Sequence, residues 1–161
     1  MNMLTKTLAI LLATAGAAVA SDDAAEVVLT LSFENGTSET VEFSLEDLNA
    51  IEEREFTTTT IWTTGPQTFS GVSLDTFLSA QGIESGTILA SAINDYTVEI
   101  PVGDAVTDGP MIAYRLNGEE MSIRDKGPLW IVYPYDSKSE YQAEVIYSRS
   151  IWQLDRIAIV D

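Results

Sequence analysis

The chain has 161 residues, 25 acidic against 8 basic, a formal net charge of −17, and neither histidine nor cysteine. The absence of imidazole and thiol excludes Ser-His-Asp and Cys-His nucleophilic catalysis, zinc sites built on those side chains, thiol redox chemistry and any disulfide framework. A surplus of negative charge this large repels phosphate backbones and anionic membrane surfaces, so nucleic acid and such membranes are poor partners.

The first 20 residues read as a cleavable signal peptide. Lys6 supplies its positive charge, Leu8 to Ala15 is a short apolar run, and Ala18-Val19-Ala20 is a small-x-small cleavage site ahead of Ser21-Asp22-Asp23. The run falls short of the roughly 20 residues that a bilayer span needs. Export is therefore expected, with one mature domain over 21–161. A chain of this size buries a core without needing disulfides.

Val27, Leu29, Leu31 and Phe33 alternate with Val28, Thr30 and Ser32, and Glu34-Asn35-Gly36-Thr37 turns the chain into Val41-Glu42-Phe43, a hairpin signal. Ser44 is placed to cap a short helix carrying Leu45, Leu48 and Ile51 on one face. A threonine-rich strand is expected over Phe56 to Trp62, then a Thr-Gly-Pro turn and a further strand over Gln67 to Ser70. Ser73 is placed to cap a second helix with Leu74, Phe77 and Leu78 at helical spacing, ended by Gly82.

The second half reads as strand and turn. Thr87 to Ala92 and Tyr96 to Ile100 flank an Asn94-Asp95 corner, Met111 to Leu116 runs into Asn117-Gly118, and Leu129 to Tyr133 is an apolar run between two prolines. In the last strand Trp152 and Leu154 share one phase while Ile157 and Ile159 share the other, which predicts a bulge near Asp155-Arg156. Two short helices beside many strands predict an α+β fold.

Charge and aromatic residues are unevenly distributed. Residues 22–55 hold 11 acids and one base, Arg54, whereas Arg115, Arg124, Lys126, Lys138, Arg149 and Arg156 fall in the last third beside Trp130, Tyr133, Tyr135, Tyr141, Tyr147 and Trp152. Guanidinium groups next to aromatic faces suit a flat, carbonyl-bearing heteroaromatic ligand. The same residues equally make ordinary surface pairs and core packing.

Several segments, in order, resemble a known family. Phe69-Ser70-Gly71-Val72-Ser73-Leu74-Asp75-Thr76-Phe77-Leu78 is similar to the F/W-x-G-V-x-L-x-x-L-L segment of the molybdopterin-binding domain of sulfite-oxidase-type enzymes. Asn94 to Pro101 resembles its D-G-Y-x-x-x-(I/L)-P strand pair, Met111 to Met121 its L-A-x-x-x-N-G-x-x-L, Lys126 to Pro134 its G-x-P-(L/I)-R-x-x-x-P, and Ser150 to Ile157 its closing K-W-x-x-x-I strand. Together they span most of residues 40–160.

Two departures qualify the resemblance. The family's molybdenum enzymes ligate the metal through a cysteine after the strand equivalent to Phe56–Trp62, and this chain has none. The Thr57–Thr60 hydroxyls are no substitute for a soft thiolate. The family's arginine after Pro-Leu is Trp130 here, which removes an anion contact and adds a stacking face.

The resemblance thus points to a subgroup of small exported pterin-binding proteins that lack the metal-ligating cysteine. It implies no bound metal or catalysis, a free pterin as ligand, and the periplasmic region of a membrane-bound signalling protein as partner. The pterin contacts it implies are Trp62, Asn94, Asp95, Tyr96, Arg124, Lys126, Trp130, Arg149 and Trp152. Asp95 or Asp125 would accept from the 2-amino edge, Arg124, Lys126 or Arg149 would donate to the 4-oxo group, and the three tryptophans would stack. Trp152, in a terminal strand, is the tryptophan first assigned to the core. Two other readings stay open: a ligand-free periplasmic interaction module, and a molybdopterin-dependent oxidoreductase with an unusual cysteine-free site.

Overall fold

The computed structural model describes residues 25–34 and 39–161. The signal-peptide assignment and the Asn35-Gly36-Thr37 turn lie outside the described residues. β1 (Val27–Phe33) and β2 (Thr40–Ser44) form the expected antiparallel hairpin arms, with Leu31 opposite Val41. The alternation of β1 is realised as burial: Leu29 and Leu31 are fully enclosed.

Helix α1 (Leu45–Asn49) begins with a complete capping box. The Ser44 hydroxyl accepts from the Asp47 N–H at 3.1 Å, and the Asp47 carboxylate accepts from the Ser44 N–H at 2.8 Å. Helix α2 (Leu74–Ala80) starts at Ser73, but that side chain makes no cap bond. The Thr76 N–H, one of the donors such a cap would take, goes instead to the Asp75 carboxylate at 2.8 Å, and the Leu74 N–H donates to the Pro110 carbonyl at 3.0 Å.

The strand expected over Phe56 to Trp62 is β3 (Glu53–Thr58), which starts earlier and ends earlier, because the Thr59 N–H leaves the sheet to bond Asp136. It pairs with β4 (Gln67–Ser73). β5 (Thr87–Ala92), β6 (Thr97–Pro101), β7 (Met111–Leu116) and β9 (Leu129–Val132) lie close to their expected places, and the two-residue β8 (Glu119–Glu120) is an addition that the sequence reading did not include. A third helix, α3 (Glu144–Ser148), has no counterpart among the expected elements, and it precedes β10 (Ile151–Val160).

One mixed sheet runs β2-β1-β10-β9-β7-β4-β3, with β6 and β8 attached through β5 and β7. Among the described residues all pairings are antiparallel except β1 with β10, where Leu31 lies beside Ile157. β10 is the junction. Its first residues pair with β9, while Arg156 to Ile159 lie between β1 and β5. The predicted irregularity is present as register shifts at Trp152/Leu154 and Leu154/Arg156, and Gln153 takes a positive φ of 53°. The architecture is the expected α+β one, a mixed sheet with a few short helices.

Candidate functional site

A cavity of about 400 Å³ opens where the chain leaves β5 and enters β10. Trp62, Asn94, Tyr96, Tyr147, Trp152 and Gln153 line it, with Ala92, Ser150 and Ile151 completing the wall. Three separate elements converge there: the loop after β3, the β5–β6 turn, and α3 with the start of β10. Four of the residues predicted from sequence are thereby brought together: Trp62, Asn94, Tyr96 and Trp152.

Trp62 is the centre of an edge-on aromatic cluster, with ring centroids 5.6 Å from Trp152, 6.0 Å from Tyr135 and Tyr147, and 6.1 Å from Trp130. Such geometry sets the positive edge of one ring against the negative face of the next. The loop carrying Trp62 is tied down where it leaves β3. The Trp62 N–H donates to Thr60 Oγ1 at 3.1 Å, and Asp136 accepts from the Thr59 N–H at 2.6 Å and the Thr59 hydroxyl at 2.7 Å. In return the Asp136 N–H donates to Thr58 Oγ1 at 3.0 Å. Below the cluster the Tyr135 hydroxyl bonds Ser150, and burial pushes its ionisation up.

The Thr59 N–H, and then the Thr59 hydroxyl, hold the Asp136 carboxyl below the usual carboxylate range. A carboxyl depressed in the folded state stabilises it above the unfolded pKa and loses that contribution as pH falls through the folded one. Tryptophan emission is therefore expected to stay constant down to the ordinary carboxylate range and to change below it as Trp62 loosens. Asp136→Asn should show the loosened emission already at pH 7, and an emission identical to wild type at pH 7 would show that this clip does not hold the loop.

The remaining predicted residues are placed differently. Trp130 is fully buried in β9, packed edge-on against Phe69 at 5.1 Å and Trp152 at 6.0 Å. It is thus the core tryptophan, and Trp152, expected in the core, is half-buried and lines the cavity. The reason lies in lateral position. Trp130 and Trp152 are cross-strand neighbours, but β9 also pairs with β7, whereas Trp152 sits at the irregular start of β10.

Arg149 turns away to Asp104 at 2.8 Å, which also accepts from the Tyr133 hydroxyl at 2.8 Å. The exposed Asp95 carboxylate meets Arg156 at 2.8 Å, while its neighbours Asn94 and Tyr96 face the cavity. Asp95 adopts a left-handed φ of 67°, as a corner residue of this kind can. Arg124 is exposed and does not line the cavity, and Asp125 accepts from Ser122 Oγ at 3.0 Å. Lys126 lies over the rings of Trp152 and Trp130, with Nζ 5.1 and 5.8 Å from their centroids. It borders a separate depression shared with Glu119, Glu120 and Asp125.

Tyr147 and Gln153 also line the cavity and are not among the site residues expected from sequence. Tyr147 sits on the unexpected α3, and Gln153 beside the bulge that the phase change in β10 announces. Asn94 Oδ1 accepts from the Tyr96 N–H at 3.2 Å, leaving its amide N–H groups to donate. Gln153 Nε2 donates to the Ile123 carbonyl at 2.6 Å, leaving Oε1 to accept. The lining therefore offers aromatic faces, amide and phenol groups, and no ionised side chain.

This donor set does not fit a metal-bearing molybdopterin. No thiolate exists in the chain, the cavity wall carries no cation to meet a phosphate, and among the described residues no group of three or more acidic or imidazole side chains is placed to hold a metal. What the arrangement can do is receive, against its aromatic lining, a flat ring that has its own N–H and carbonyl edge.

Residues 17–136 match the model of the oxidoreductase molybdopterin-binding domain family. In fold the chain is similar to the sulfane dehydrogenase SoxCD from Paracoccus pantotrophus, with a TM-score of 0.61 and 18% sequence identity over 83% of this chain. The match covers only 38% of that protein's chain. No curated protein matches the sequence.

Proposed function

Because the chain belongs to the oxidoreductase molybdopterin-binding domain family, we propose that it binds a free pterin in the Trp62–Trp152 cavity, without catalysis, as the periplasmic sensor of a membrane-bound regulator. The observation that carries this reading is the uncharged aromatic cavity in a family member that has no cysteine. A pterin is a flat heterocycle with adjacent N–H and carbonyl groups. It matches rings for stacking, an amide donor at Asn94 and an amide acceptor at Gln153. The reading of residues 1–20 as a signal peptide supports the compartment.

Titration of intrinsic tryptophan fluorescence with oxidised and tetrahydro pterins tests the proposal. Saturable quenching is expected, and Trp152→Ala should weaken binding about tenfold, in line with about 1 kcal/mol for an aromatic stacking partner plus its lost area. Circular dichroism should show that variant folded, because Trp152 is only half-buried. Unchanged affinity in the folded variant would move the site elsewhere. An oxidoreductase needs some replacement for the missing thiolate, and stoichiometric molybdenum in protein purified from its native compartment would favour that alternative.

A further inference from the structure

On the far side of the β5–β6 turn and the β10 bulge lies a second, larger depression of about 520 Å³, floored by apolar side chains from β1, α1 and the segment after β8. Seven large hydrophobic residues are exposed among the described residues, and three of them, Val27 (46%), Ile93 (41%) and Ile123 (53%), line this one groove. Single exposed aliphatic residues need no explanation, but three around a shared apolar floor make a patch that water covers at a cost.

Among the described residues, the charged side chains lining the groove are all acidic: Glu26, Glu46, Glu120 and Asp155. Asp155 is engaged by Arg156 at 2.9 Å, whereas none of the three glutamates forms an ion pair among the described residues. An apolar floor with an anionic rim is complementary to a segment that carries aliphatic side chains flanked by ammonium or guanidinium groups. A second copy of this chain is a poor occupant, since a symmetric contact through this patch sets like-charged rims against each other.

The groove shares no lining residue with the candidate ligand cavity, but two hydrogen bonds through Gln153 join their walls. The Ile93 N–H donates to the Gln153 carbonyl at 3.0 Å, and the Gln153 side chain, which lines the tryptophan cavity, donates to the Ile123 carbonyl at 2.6 Å. Two of the three exposed aliphatic residues thus hang from one residue of the ligand cavity.

We propose that this groove is a docking site for a partner-protein segment that presents basic side chains beside aliphatic ones. The proposal needs the groove alone, and its test uses no pterin, so it fails or stands separately from the ligand reading. A fluorescein-labelled leucine/lysine peptide, titrated by anisotropy, is expected to bind saturably and to weaken as salt rises. The exposed double variant Ile93→Ser/Ile123→Ser should weaken it at least tenfold while circular dichroism stays unchanged. The variant Glu26→Gln/Glu46→Gln/Glu120→Gln should weaken it comparably, whereas Glu84→Gln/Glu99→Gln/Glu140→Gln, with the same charge removed outside the groove, should have little effect. Equal binding of a serine/lysine peptide, or equal loss with both glutamate triples, would reduce the interaction to attraction by a chain of net charge −17 and overturn the proposal. Self-association in sedimentation that disappears in the Ile93→Ser/Ile123→Ser variant would also overturn it, by making a second copy the occupant.

Discussion

Trp130→Ala is expected to lower folding stability by about 3 to 5 kcal/mol, the cost of emptying a large aromatic site in a packed core. The side chain has no exposed surface and joins three other rings, those of Phe69, Trp62 and Trp152. Total stabilities of single domains are only about 5 to 15 kcal/mol, so the variant should be largely unfolded at temperatures where wild type is intact. Trp130→Phe should be milder, about 1 to 2 kcal/mol. It leaves a smaller void and removes the indole Nε1–H, a buried donor with no partner among the described residues. Urea denaturation followed by far-ultraviolet circular dichroism measures both. A Trp130→Ala protein as stable as wild type would show that Trp130 is not a core residue.

A second large effect is expected at Gly71, in the middle of β4. A methyl group there would sit on the backbone of β7, overlapping the Ile112 carbonyl oxygen and lying 2.6 Å from Ala113 Cα. Backbone held in a sheet cannot retreat as a flexible side chain can, so Gly71→Ala must push β4 away from β7 where their register already shifts between Ser70 and Gly71. A loss of about 3 kcal/mol is expected, at the upper end of ordinary overpacking. Gly103→Ala is the control, since nothing lies within 4 Å of a methyl group at that position. Thermal melts of the two variants side by side decide the point, and equal midpoints would refute the close approach.

Gly71 also shows why some segments of the sequence were legible. It is the glycine of the F/W-x-G-V-x-L-like segment, and the structure gives that pattern a steric cause. The β1–β2 hairpin arms, the cap at Ser44 and the irregular β10 were readable because each depends on neighbours a few residues apart. The exchange of roles between Trp130 and Trp152 was not readable, because both lie in strands and only the lateral sheet order separates a covered ring from an open one. Arg149 and Asp95 were plausible ligand contacts for a similar reason. Their ion-pair partners, Asp104 and Arg156, lie 45 and 61 residues away in the chain. The strand after Phe56 was expected to run too far because nothing local reveals that Asp136 takes the Thr59 N–H. Helix α3 has no side-chain cap, so its start carried no local signal.

The position of β10 also bears on how the chain folds. This strand joins β1, β9 and β5, and its bond to β1 is the one parallel pairing, between segments from opposite ends of the described chain. Closing so long a loop costs chain entropy before any contact repays it, which makes such pairings slow. The apolar edges of β1 and β9 must wait until residues 151–160 have been synthesised and can reach them. Strands left unpaired in this way are prone to aggregate. The charge of −17 then acts before the native state exists, as mutual repulsion that keeps unfinished chains apart while the last strand finds its place.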